Sequence, residues 1–282
     1  MAESLVMNIT SQAEKWLNFL QLHSCLLLGE SPALCLPLDT SICDASEVVY
    51  LLTVFYVSFM LLFLLQDVEW GSVSLVDAEK RLLSNALLDF SNERFVLLSE
   101  SCIPVYNFPT VYRYLIHSEY SFVESYDDPT RYGRGRYNRK MLPDIRLYQW
   151  RKGSQWFEIQ RALAVYMVSD TKYYSIFKRY CRPACYPDEH YIPTYLNMFH
   201  GSLNANRTVT WVDWSFGGPH PATYMGINVT ESFIQSIRNN KTQCSYNSEM
   251  TSVCYLFARK FHPSALEPLL NLTSTVPGIR HH

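Results

Sequence analysis

RFVLLSES, residues 94–101, sets four consecutive apolar residues, Phe95 to Leu98, against a polar end at Ser99, Glu100 and Ser101. A run that short, apolar at every position rather than at alternate ones, reads as a β-strand buried on both faces. In open α/β sheets the carboxyl ends of such strands are where ligands sit. Just upstream, Leu75, Val76, Leu82, Leu83, Ala86 and Leu87 fall on one helical stripe, and Ser74 with Asp77 supplies an S-x-x-D start signal. Downstream, Gln155 to Ile159 reads as a second strand and Ala162 to Val168 as a helix stopping near Ser169 and Asp170. Thr230 is placed to cap a helix carrying Phe233, Ile234 and Ile237, and Val253 to Phe257 reads as a short strand before the basic pair Arg259 and Lys260. Strands alternating with helices imply an α/β domain.

The bulk composition supports a folded chain with a sizeable core. Its 282 residues are 48% hydrophobic, and aromatics reach 15% while charged residues stay at 18%. A formal charge of -2 gives no overall field to gather nucleic acid or anionic lipid, so any anion site must be local. Eight cysteines, with N-x-Ser/Thr sequons at Asn8, Asn206, Asn228, Asn240 and Asn271, point to an oxidising secretory compartment.

Residues 1–66 form an atypical N-terminal region. Within it Val48 to Leu65 is an uncharged run of 18 residues between acidic flanks, close to the minimum for a membrane-spanning helix. A membrane anchor is the expectation, with a buried core helix or paired strands as the alternative. Lys15 is the only basic residue ahead of it, so orientation is not set by charge. The main domain is expected over 67–274 and a tail over 275–282.

Several clusters carry chemistry. CRPACYPDEH, residues 181–190, puts Asp188, Glu189 and His190 at the expected first turn of a helix, where the backbone dipole favours carboxylates. The bland reading is helix capping; the sharper ones are a general base at Glu189 or a metal held by Cys181, Cys185 and His190. One C-x3-C with a single His is a poor zinc set, and in a secretory compartment a disulfide is the better use of those thiols. RYGRGRYNRK, residues 131–140, carries Arg134, Arg136 and Arg139 on a loop suited to phosphate or carboxylate, or simply to solvent. RNA binding lacks an RNP-type strand. TWVDWSFGGPHP offers Trp211 and Trp214 as sugar-stacking faces or core residues. No D-x-D follows the 95–98 strand, so side-chain cations would replace a metal at any diphosphate.

Taken together, VEWGSVSLVDAEKRLL, RFVLLSESCIPV, SFVESYDDPTRYGRGRYNRKMLP, QWRKGSQWFEI, CYPDEHYIPT, VTWVDWSFGG and TSVCYLFARKFHP resemble the plant branch of the core-2/I-branching β-1,6-N-acetylglucosaminyltransferase family, glycosyltransferase family 14. The resemblance runs from about Val68 to Leu272. It implies a GT-A-like sheet with flanking helices, Golgi residence in type II membrane topology, and inverting transfer from a UDP-sugar to a glycan or glycoprotein hydroxyl. No metal or other cofactor is implied.

By the same resemblance Glu189, in Pro187-Asp188-Glu189, is the catalytic base, and Lys260 in LFARKF sits on the donor diphosphate. Animal members supply a second cation where this chain has Thr251, and Arg259 is its nearest substitute. Trp214 corresponds to an acceptor platform, with Arg134, Arg136 and Arg139 on the acceptor side, and Cys244 pairs with Cys254. Residues 1–66 do not resemble the family, which places its first strand and uridine contacts there. The expectation is therefore an N-terminally incomplete sheet, with a non-catalytic membrane protein that keeps acceptor binding as the rival to an active enzyme. A basic-loop module for acidic polysaccharide is a third reading. N-acetylglucosamine and glucuronic acid donors both occur among such relatives.

Overall fold

A computed structural model describes residues 68–182, 185–239 and 241–275, with side chains through residue 272. The apolar run at 48–65 and the sequons at Asn8 and Asn240 lie outside the described residues, as does the tail beyond Thr275. Among the described residues no helix is long and apolar enough to cross a membrane. The chain divides into two compact units, one of residues 68–97 with Glu119–Thr208, the other of Leu98–Ser118 with residues 209–275.

The first unit opens with α1 (Val73–Ala86). Its cap is Ser72, not Ser74: the Ser72 hydroxyl accepts from the Ser74 N–H at 3.1 Å, while the Ser74 hydroxyl accepts from the Glu69 N–H at 2.9 Å. The expected start signal therefore lies two residues inside the first turn. Val76, Glu79, Leu83 and Ala86 make the buried face, and α1 packs on α3 (Arg161–Ser169) and α5 (Pro187–Phe199).

Strand β1 (Arg94–Val96) pairs antiparallel with β3 (Glu158–Gln160), with Phe95 opposite Ile159. The second strand starts later than expected because Ser154 first turns the chain, its hydroxyl accepting from the Trp156 N–H at 3.2 Å. Gln155 is thereby freed to donate to Glu79 at 3.1 Å. Helix α4 (Lys172–Tyr180) packs on α5. Buried Trp150 stacks on Phe177 of α4 at 5.3 Å and on His190 of α5 at 4.7 Å, and its indole N–H donates to the Gly133 carbonyl at 3.1 Å. One tryptophan thus joins two helices to the basic loop.

The second unit holds a three-stranded sheet in the order β2 (Ile103–Pro104), β7 (Phe257–Arg259), β4 (Thr210–Val212). β4 runs parallel to β7 and β2 antiparallel to it. Ile103, Val105, Ala258 and Phe261 form its core with Ile234 and Ile237 of α6 (Glu231–Arg238) and Leu269 of α7 (Leu266–Thr275). Thr230 caps α6 as expected, accepting from the Phe233 N–H at 3.1 Å. Helix α2 (Phe108–Ile116) is capped by Asn107.

The last strand begins at Phe257, four residues later than the sequence suggested. Cys254 is drawn instead to a hairpin of β5 (Cys244–Tyr246) and β6 (Glu249–Thr251), to which a disulfide joins it through Cys244. Asn247 and Ser248 both take positive φ at the hairpin tip, the geometry that matches strand twist. Both units are mixed α/β, with small sheets and flanking helices.

Candidate active site

Glu189 lies in the first turn of α5, and the turn is built around it. Pro187 occupies the first helical position, where its missing N–H costs nothing, and Asp188 and Glu189 follow beside the unpaired N–H groups. Tyr186 precedes the helix at φ 54, and its carbonyl accepts from the Glu189 N–H at 3.0 Å and contacts His190 Nδ1 at 3.1 Å. The Tyr186 ring is held edge-on by Trp70 at 5.1 Å, and the Arg136 guanidinium lies 4.1 Å from its centre. Gly71, at φ 72, has to be glycine for a second reason: a Cβ there would stand 2.9 Å from the Tyr186 ring.

Two cations meet on one oxygen of Glu189. Arg136 Nη1 donates to Oε2 at 2.8 Å and Lys152 Nζ to the same Oε2 at 2.9 Å. Oε1 takes no hydrogen bond among the described residues, and the side chain keeps 30% of its surface exposed. Lys152 is fixed by its own backbone, which exchanges two 2.9 Å hydrogen bonds with Tyr126, and the next N–H, from Gly153, donates to the Glu189 carbonyl at 2.9 Å. A Cβ on Gly153 would sit 1.9 Å from the Glu124 carbonyl oxygen, so only glycine lets these segments approach.

The surroundings are acidic and mostly buried. Burial and the neighbouring Glu189 push Asp188 up to about 6. Burial, and then Asp188, raise Glu79 well above the ordinary carboxyl value. Each has one oxygen without a partner, Asp188 Oδ1 and Glu79 Oε2, and both environments favour the protonated acid. Burial raises Glu124 too, against the pull of Lys152. Tyr126 is pushed up to about 12 by burial and by Glu124, Asp128 and Glu189, which keeps its half-exposed phenol protonated. His190 is fully buried and pulled down to about 4 by burial, so the ring is neutral.

Of the basic loop, the structure brings only Arg136 to Glu189. Arg134 forks onto Asp127 at the surface, at 2.7 and 2.5 Å, and Arg139 is exposed. Cys181 and Cys185 form a disulfide just ahead of α5, which removes them as metal ligands, and among the described residues no group of three His, Cys, Asp or Glu is placed to hold a metal.

Lys260, Arg259 and Trp214 belong to the second unit, at the carboxyl ends of its parallel strands. Val212 pairs with Arg259, so Trp214 and Lys260 follow neighbouring strands off the same sheet edge. Tyr224 links them: its N–H donates to the Lys260 carbonyl at 2.8 Å and its hydroxyl to the Asp213 carboxylate. Asp213 also takes the Ser215 N–H at 2.8 Å, which anchors the loop presenting Trp214, 53% exposed. The Lys260 ammonium makes no hydrogen bond or ion pair among the described residues, whereas Arg259 is drawn down by burial, partly offset by Cys102 and Glu100.

Three sequons can be placed. Asn206, Asn228 and Asn271 are exposed, but the Asn206 side chain accepts from the Ser125 N–H at 2.7 Å and that of Asn228 from the Met225 N–H at 2.9 Å.

The family model for the core-2/I-branching enzymes matches residues 54–238. This chain belongs to that family. The match starts 14 residues ahead of Val68, inside the apolar run at 48–65, so family-like sequence reaches further back than the motifs alone indicate. The chain is similar to the glycosyltransferase BC10 of Oryza sativa subsp. japonica, 37% identical over 249 residues. That alignment covers 73% of this chain and 61% of the relative, so the chain spans about three fifths of the relative's length. As a core-2/I-branching family member it carries Glu189, Arg136 and Lys152 inside the matched region and Lys260 beyond it.

Lys152 and the backbone of Gly153 went unassigned in the sequence, although both lie in the QWRKGSQWFEI motif. One signal was available. Pro193 stands four residues after Glu189 and cannot donate the helical hydrogen bond to its carbonyl, which announces that another N–H must do so.

Proposed function

We propose that the chain is an inverting, metal-independent glycosyltransferase that moves an N-acetylglucosamine-type sugar from a UDP-sugar to a hydroxyl of a glycan or glycoprotein. The observation that carries this reading is the asymmetry of Glu189: one oxygen is pinned by two cations, and the other takes no hydrogen bond among the described residues on a side chain that keeps 30% of its surface exposed. A carboxylate so held can take a proton in one direction only. Glu189 Oε1 removes the proton from the acceptor hydroxyl as that oxygen bonds to the anomeric carbon. The bond from that carbon to the diphosphate oxygen breaks, and its electron pair leaves with UDP. Lys260, with Arg259 beside it, offsets the negative charge on the departing diphosphate. Trp214 offers the acceptor a flat apolar face. Golgi residence, with the catalytic part in the lumen and a membrane anchor at 48–65, belongs to the same proposal.

The test is calorimetric titration of the full chain in detergent with UDP, beside Lys260→Ala, followed by UDP release from UDP-N-acetylglucosamine with p-nitrophenyl β-galactoside as acceptor. Micromolar UDP binding lost in Lys260→Ala, and transfer reduced on the order of 10²- to 10⁴-fold in Glu189→Gln, support the reading. A folded chain that neither binds UDP nor releases it contradicts an active transferase.

A further inference from the structure

We infer that Lys152 is a positioning residue for Glu189: it pins Oε2 so that Oε1 alone faces the acceptor. This rests on Glu189 being the base. The ammonium is 2.9 Å from Oε2 and mostly buried, with 17% of its side-chain surface exposed against 30% for Glu189. Charge alone explains why a cation is needed there. Glu124 and Asp188 each face the Glu189 carboxylate, with Lys152 beside both of them and Arg136 beside Asp188. Without Lys152 the Glu124 carboxyl faces Glu189 with no ammonium to offset their repulsion, and Arg136 alone has to hold the glutamate.

The two cations are braced differently, which separates their roles. Arg136 comes from a short 3-10 turn and leans on the Tyr186 ring, its side chain as buried as that of Lys152. Lys152 is set in a single antiparallel bridge with Tyr126, and its neighbour Gly153 holds the Glu189 carbonyl. Lys152 and Gly153 therefore fix both ends of one residue, side chain and main chain. A group anchored so firmly orients the carboxylate before any acceptor arrives, which is how a positioning residue speeds a reaction.

Two measurements test this on the full chain. Zero-length carbodiimide coupling, read by mass spectrometry of tryptic peptides, should give a Lys152–Glu189 isopeptide without any substrate; its absence overturns the contact. Steady-state UDP release with UDP-N-acetylglucosamine and p-nitrophenyl β-galactoside should then show kcat lowered on the order of tenfold to a hundredfold in Lys152→Met. The KM for donor should stay within a factor of about two, and Lys152→Arg should recover most of the rate because it keeps a cation at the same place. A normal kcat in Lys152→Met, or a rise in acceptor KM alone, makes Lys152 a bystander or an acceptor ligand and overturns the inference. A wild-type rate in Glu189→Gln, or no transfer by the wild type, overturns the underlying base assignment instead and removes the role of Lys152 with it.

Discussion

Pro193 lies one helical turn after Glu189, and the carbonyl that its missing N–H leaves open accepts instead from Gly153 at 2.9 Å. An interior proline ordinarily breaks a helix by orphaning the carbonyl four residues back. Here that orphan is the attachment point for the segment carrying Lys152, so an apparent fault in α5 is what docks a cation onto Glu189. Ser125 adds a second tie, its hydroxyl donating to the Pro193 carbonyl at 2.9 Å.

Gly153→Ala should damage both stability and rate. The new Cβ would stand 1.9 Å from the Glu124 carbonyl oxygen, a backbone atom that cannot swing away, and 3.0 Å from the Pro193 ring. Overpacking of this kind costs about 1–3 kcal/mol. Urea unfolding should show that loss, and UDP release should fall with it because Lys152 and the Glu189 carbonyl are pushed apart. An alanine variant as stable and active as the wild type contradicts the close approach.

Stability should respond to pH through two buried groups of opposite sign. Burial pulls His190 down to about 4 from 6.5, so the unfolded chain binds a proton that the folded chain refuses, and stability is lost as pH falls from 6.5 toward 4. Burial pushes Glu158 up to about 7 from 4.5, with Arg94 at 3.5 Å offsetting part of the shift. Its contribution is full below 4.5 and is lost as pH rises toward 7. Glu158→Gln should therefore show less loss between pH 4.5 and 7, and His190→Gln less loss between 6.5 and 4. Urea unfolding at pH 4, 5.5 and 7 gives the slopes; variants whose slopes match the wild type contradict the burial argument.

The Cys181–Cys185 disulfide should stabilise the entry to α5. It joins cysteines four positions apart immediately ahead of Tyr186 and Pro187, and chain-entropy reasoning for so small a loop gives about 2 kcal/mol. The double variant Cys181→Ser, Cys185→Ser isolates it from the Cys244–Cys254 bridge. Urea unfolding should fall by that amount, with transfer reduced because the turn that carries Glu189 loosens. Unchanged stability would show that packing of Trp150 and Tyr186 holds the turn without the bridge.

Much of the fold is legible in local sequence. Phe95 and Val96 form a strand, residues 161–169 form a helix ending beside Asp170, and Thr230 caps α6, because each depends on a neighbour only a few residues away. Errors fall where a distant partner overrides the local pattern. The apolar run at Val253 looks like strand, but Cys254 is bonded to Cys244 and the strand waits until Phe257. Ser74 has the sequence of a cap, but Gly71 turns the chain early enough for Ser72 to take the role. The three arginines of the basic loop look equivalent in sequence, yet Asp127 takes Arg134, Glu189 takes Arg136, and Arg139 stays exposed.

The sequence by itself determined the α/β class and the family, because those rest on residue types in a fixed local order. It also put Asp188 and Glu189 in a first helical turn, since Pro187 and the carboxylates favour that position through the backbone alone. The tertiary structure decided which cations hold Glu189 and which of its oxygens takes no hydrogen bond. Arg136 and Lys152 are 53 and 37 residues from Glu189 along the chain, and no local propensity links positions so far apart. They meet because Gly153 and the proline-opened carbonyl of Glu189 let two backbones approach within hydrogen-bond range, and that closeness exists only once the chain has packed.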